Sequence, residues 1–177
     1  VVYAGGVESR SALTAESKLT VDDIKKAVRA LKNQNADKIG DSYVAIIHPD
    51  VTYDLTNDPQ WQSVKDYDPK DWYEGEIGRI AGVRFVQTSE AMVYEASQEG
   101  VPVYGTLIFG EGAYGVTEIT GGGLQTIVKQ KGAGEDPLNQ RSSVGWKAIK
   151  TAELLIPNYL VRVESKSAVF SASATEN

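Results

Sequence analysis

The chain has 177 residues, 41% of them hydrophobic, with 18 basic and 24 acidic residues, a formal net charge of −6 and no cysteine. That length and apolar content make one folded domain with room for two lobes, and the missing cysteines exclude disulfides, thiolate catalysis and cysteine zinc sites. The acidic balance argues against a dedicated nucleic-acid binder, whose affinity comes from lysines and arginines that neutralise phosphates, and no apolar run approaches the roughly 20 residues of a membrane helix.

The chain opens on Val1 and not Met, so the expectation is a processed product or a portion of something longer. Residues 1–18 are small and polar and read as an extended lead-in. From Thr20 to Asn33 (TVDDIKKAVRALKN) the residues Val21, Ile24, Ala27, Val28 and Leu31 recur at helical spacing. Thr20 is a fitting N-cap, Asp22 and Asp23 sit at the positive end of the helix dipole, and basic residues follow toward the other end. A long helix with one apolar stripe needs a sheet to lie on.

Strands follow. Tyr43 to His48 is a buried-strand pattern, Pro49 to Leu55 and Pro59 to Val64 are short helices, and Lys65 to Glu76 (KDYDPKDWYEGE) is an acidic, aromatic loop. Val83 to Thr88, Val103 to Phe109, Val116 to Ile119 and Leu124 to Gln130 read as strands, with the glycines at 121–123 as a turn. Lys131 to Arg141 is a loop. Ser143 to Ala152 and Asn158 to Glu164 read as two further strands interrupted near Pro157, and the tail from Ser165 reads as frayed or docked on a neighbour. The sum is α+β, with helices early and a mixed or antiparallel sheet late.

Candidate chemistry is thin. Gly110 to Gly115 matches G-x-G-x-x-G after a strand, but a dinucleotide loop needs a helix to start at the third glycine, and VTEITGGG follows instead; a turn between strands is the better reading. The acidic run from Asp66 fails as an EF-hand, with Lys70 fifth, Asp71 in place of the sixth-position glycine and Ile77 in place of the twelfth-position glutamate. His48 is the only histidine, too few for a multi-histidine metal site, and no nucleophile elbow accompanies it, so it reads as the end of a strand and the cap of the next turn. Trp61, Trp72 and Trp146, with nine tyrosines, are scattered without basic interleaving and suit packing better than base stacking. No catalytic, cofactor or metal residue is nominated.

GEIGRIAGVRFVQTSEAMVY, preceded by YVAIIHPDVTYDL and followed by VYGTLIFGEGAYGV and DPLNQRSSVGWKA, resembles the major capsid proteins of tailed bacteriophages, in the branch related to the N4-type coat protein. The resemblance runs from about Leu19 to Glu164. It implies the Hong Kong 97-like capsid fold, with Thr20 to Asn33 as a spine helix packed on strands built after Arg141. On that reading residues 1–42 are lead-in and spine helix of the peripheral domain, 43–120 the axial domain, and 121–177 the remaining peripheral strands, loop and tail. The family's N-terminal arm and extended hairpin would precede Val1, which makes the chain a C-terminal portion.

The function implied is that of a non-enzymatic coat protein without cofactors. Its copies would form an icosahedral shell around double-stranded DNA without sequence-specific contact, assembled in the bacterial cytoplasm with scaffolding and portal proteins as partners, and no membrane. Subunit contacts are expected at Asp68, Trp72 and Glu74 in the acidic loop and at Glu135, Asp136 and Arg141 in the late loop. The rival readings are a soluble sugar- or peptide-binding module using the aromatic residues and a small enzyme centred on His48 or the 110–115 loop.

Overall fold

A computed structural model describes residues 1–65, 77–94, 102–118, 123–132, 138–167 and 169. These fall into two bodies, one built from 1–113 and 156–177, the other from 114–155.

The first body holds the long helix, α1 (Val21–Asn33). The Thr20 hydroxyl accepts from the Asp23 amide while the Asp23 carboxylate accepts from the Thr20 amide, a reciprocal cap that starts the helix where its sequence predicts. Its stripe of Val21, Ile24, Ala27, Val28 and Leu31 is buried. Beneath it lies a seven-stranded sheet made of β1 (Val2–Tyr3), β2 (Tyr43–Ile47), β3 (Arg79–Ile80), β4 (Val83–Gln87), β5 (Val93–Tyr94), β6 (Val103–Phe109) and β11 (Leu160–Ser165). The order is β1-β11-β6-β2-β4-β3, with β5 pairing the start of β6, where β2 no longer reaches. The β1–β11 and β2–β4 pairs are parallel and the rest antiparallel.

Alternation sets what each strand buries. Tyr43, Ala45 and Ile47 of β2 join Val83, Phe85, Ile108 and Val163 in the core under α1, whereas Val44 packs with Phe109 in a second cluster. The strand therefore reads as a continuous apolar run because both its faces are covered. Between β2 and β4 the chain passes through α2 (Pro49–Thr56) and α3 (Pro59–Lys65), which add Val51, Leu55 and Trp61 to the same core. Trp61 meets Phe85 edge-on, with ring centroids 5.5 Å apart.

Three expectations need correction. The lead-in is not simply extended, since short 3-10 turns form at Ala4–Gly6 and Arg10–Ala12. The stretch read as one strand from Ser143 is two, β9 (Ser143–Lys147) and β10 (Lys150–Leu154), each with its own partner. The start of the tail is not frayed: Ser165, Lys166 and Ser167 are buried, because the Lys166 amide donates to the Ser17 carbonyl at 2.9 Å and the Ser167 hydroxyl donates to Asp54 at 2.6 Å.

The second body consists of β7 (Tyr114–Glu118), β8 (Gln125–Lys129), β9 and β10, paired as two antiparallel ribbons, β10 with β7 and β8 with β9.

Candidate functional site

Of the residues nominated for subunit contact, Asp68, Trp72, Glu74, Glu135 and Asp136 lie outside the described residues. Arg141 is described and exposed, two positions ahead of β9. The surface that sequence reasoning passed over is on the ribbons. In β8–β9 the register sets Thr126 opposite Trp146 and Val128 opposite Val144. With two-residue alternation these four share one face, and Leu124 continues it by parity. Trp146 and Val144 are each 75% exposed, Leu124 74% and Val128 63%. In β7–β10 the residues Tyr114, Val116, Ala152 and Leu154 share a face in the same way, and the three large ones are exposed. The signal was present as V-x-W-x-A from Val144 to Ala148, an apolar alternation that marks a strand with one face to cover.

Polar groups gather in two clusters within the first body. On the sheet face opposite α1, the Arg10 guanidinium donates from Nε and Nη2 to the two Glu164 oxygens at 2.6 and 2.7 Å, and Arg162 Nε stands 2.9 Å from the same carboxylate. Arg10 also lies over the Tyr94 ring, 3.7 Å from its centroid. Burial acts to raise the Glu164 carboxyl, but the hydrogen-bonded Arg10 and then Arg162 outweigh it and hold it below the usual carboxylate range.

The second cluster joins β2, α2, β6 and the segment after β11. His48 caps α2, its Nδ1 accepting from the Asp50 amide at 3.2 Å, and its ring lies against Tyr104 with centroids 4.8 Å apart. Burial lowers the His48 imidazole below its ordinary value, with Asp50 opposing. The Tyr104 hydroxyl donates to Asp50 at 2.6 Å, and burial followed by that bond pushes the phenol well above its ordinary range. His48 Nδ1 is thus spent on a helix cap, and the Ser167 hydroxyl points to Asp54, so the geometry gives these groups structural jobs.

Gly110 and Gly112 lie in the turn between β6 and β7, with Gly112 at φ +73°, while Gly115 is already in β7. A Cβ on Gly110 would run into the Asp37 carbonyl, which also accepts from the Glu111 amide at 2.9 Å. Among the described residues no group of three or more histidine or carboxylate side chains is placed to hold a metal ion, and no helix is long and apolar enough to cross a membrane.

Residues 4–134 match the phage capsid protein family. The chain belongs to it. Capsid structures carry the same fold. The capsid of Ralstonia phage GP4 superposes with a TM-score of 0.69 at 14% identity, covering 94% of this capsid chain and 52% of that one. The cyanophage Pam1 capsid gives 0.71 at 15% identity, over 88% and 49%. The acid-stable capsid of Helicobacter pylori bacteriophage KHP30 gives 0.62 at 12%, over 84% and 59%. This capsid-family chain therefore spans about half the length of the first two solved chains it resembles, and its α+β architecture is the capsid fold that the sequence blocks implied. No curated protein sequence matches it.

Proposed function

We propose that the chain is part of the major capsid protein of a tailed phage or prophage, many copies of which close into an icosahedral shell around double-stranded DNA. The observation that carries this reading is the family match across residues 4–134, and the capsid superpositions support it. A net charge of −6 suits a container that must hold DNA without gripping it. Closure of a shell multiplies contacts that are individually weak. The protein does its work by assembly and not by catalysis, in the host cytoplasm and then in the virion, with scaffolding and portal proteins as the partners such a shell uses.

Within this reading the N4-type branch rests on the quoted sequence blocks, α1 serves as the spine helix, residues 43–120 lie toward the symmetry axes and 121–177 toward neighbouring capsomers. The loops holding Asp68, Trp72, Glu74, Glu135, Asp136 and Arg141 are contact sites.

Electron microscopy of the purified full-length protein, alone and with a scaffolding protein, is the test. Uniform hollow polyhedral particles are expected. Only small discrete particles, persisting across salt and scaffold conditions, would overturn the proposal.

A further inference from the structure

Residues 5–16 form a loop whose two ends are fixed on the same strand. Before it, β1 pairs with β11, with Tyr3 beside Glu164, and after it Lys18 bridges to Lys166, whose amide donates to the Ser17 carbonyl at 2.9 Å. Within the loop the Ala12 amide donates to the Ser9 carbonyl and the Leu13 amide to that of Arg10, so these bonds travel with it. Gly5 and Gly6 stand at φ +73° and +72°, a left-handed pair that gives the loop its first bend. Among residues 5–16, all of them described, Leu13 is the one that is buried. Closing such a loop costs conformational entropy, and little apolar burial offsets it. The fork from Arg10 to Glu164 ties its middle to the sheet.

The receiving side suits a guanidinium. Glu164 is fully buried and offers both oxygens, and the Arg10 guanidinium carbon stands 3.7 Å from the Tyr94 ring centroid. Tyr94 can lie there because Gly105, opposite Glu164 in the β6–β11 ladder, has no side chain; a Cβ on it would come within 3.2 Å of Tyr94 Cε2. Two-pronged bonding to a carboxylate together with contact on an aromatic face selects arginine over lysine. Arg162, 2.9 Å from the same carboxylate, stays in place when Arg10 leaves, so opening strands no bare charge. The charged groups gathered there are ones that water solvates readily. We propose that Glu164 and Tyr94 form a guanidinium-binding site that takes an arginine side chain, and that residues 5–16 are a flap latched over it by Arg10 as a tethered ligand. The flap opens with both its ends still paired to β11, which leaves the sheet folded and the site accessible to an arginine brought by another molecule. The latch belongs to a single copy and is independent of assembly.

The chain has no cysteine, so Ser11→Cys, at an exposed position of the flap, carries a single spin label. With Arg10 in place the label should be immobilised. In Arg10→Ala the ratio of mobile to immobile label should rise at least about tenfold, while the amides of β6 keep their protection from hydrogen exchange. About 20 mM ethylguanidinium, far below denaturing amounts, should return the Arg10→Ala label to the immobile state, and the same concentration of ethylammonium should not. Adding Glu164→Gln should abolish that rescue. A label as immobile in Arg10→Ala as in its parent overturns the latch. A mobile label that both cations restore, or that neither restores, overturns the guanidinium site, as does rescue that survives Glu164→Gln. If Arg10→Ala loses the protection of β6, Arg10→Lys takes its place, since it keeps the charge and loses the fork; a label as immobile there as in the parent also overturns the proposal.

Discussion

Arg10 and Glu164 sit 154 positions apart and meet in a two-pronged fork, with the carboxylate fully buried. Removing one partner leaves a charge without its compensation in low dielectric, so Arg10→Met should cost about 2 kcal/mol in urea unfolding, moderated because Arg162 remains. The same pair sets an acid limit. A carboxyl held low in the folded chain stabilises it above its unfolded value near 4.3, and that contribution drains away as pH falls through the folded value. The wild type should therefore lose stability below about pH 4.5 more steeply than Arg10→Met. His48 acts in the same direction at higher pH. Its imidazole is lowered by burial, so the neutral cap is favoured above about 6.5 and the chain weakens as pH falls below it. His48→Asn keeps a capping side chain and should flatten the stability profile below about pH 6.5. Ala81 offers the opposite kind of change. With Gly82 it forms the two-residue turn joining β3 to β4, at φ +53° and +78°, a conformation that favours Asn-Gly. Ala81→Asn should raise thermal stability by about 0.5 to 1 kcal/mol, and a drop in melting temperature would contradict the turn assignment.

At the level of elements, Asp58 serves two helices at once. One carboxylate oxygen accepts from the Gln60 amide at the start of α3 and the other from the Val21 amide at the start of α1, at 2.8 and 3.0 Å. Asp58→Ala should cost about 2 kcal/mol, two caps' worth, while Asp58→Asn should cost clearly less, as denaturant midpoints would show. Sequence alone shows the local half of this, since Asp-Pro before a short helix is a capping signal; the bond to Val21 is set by how the helices pack. The same division runs through the fold. The α1 boundaries, β2, β6 and the His48 cap follow from periodicity, proline and capping chemistry, all local. The β3–β4 hairpin was hidden because Ala-Gly is a weak turn signal, and the burial of Lys166 and Ser167 was hidden because small polar residues resemble a free tail unless their partners, Ser17 and Asp54, are known. On the ribbons the V-x-W-x-A alternation was legible as a strand, but the exposure of its apolar face is set by which layers pack, and nothing local in the sequence encodes that.

Taken whole, the molecule pairs a deeply layered body with thinly covered ribbons, and its backbone dynamics should divide the same way. Amides of β6, paired along both edges by β2, β5 and β11, should exchange hydrogen slowest, and those of β8 and β9 fastest in the unassembled chain. Equal protection throughout the isolated chain would contradict this division. The placement of β11 has a further consequence, in time instead of space. The strand that pairs along β6 and sets Val163 under α1 leaves the ribosome after the other described strands of its sheet. Until it emerges, one edge of β6 is open and the underside of α1 lacks part of its cover, so the nascent chain carries an aggregation-prone edge. Closing that edge of the sheet therefore waits on β11. Chains cut before Leu160 keep that edge unfinished and should aggregate, as light scattering of such a truncation would show.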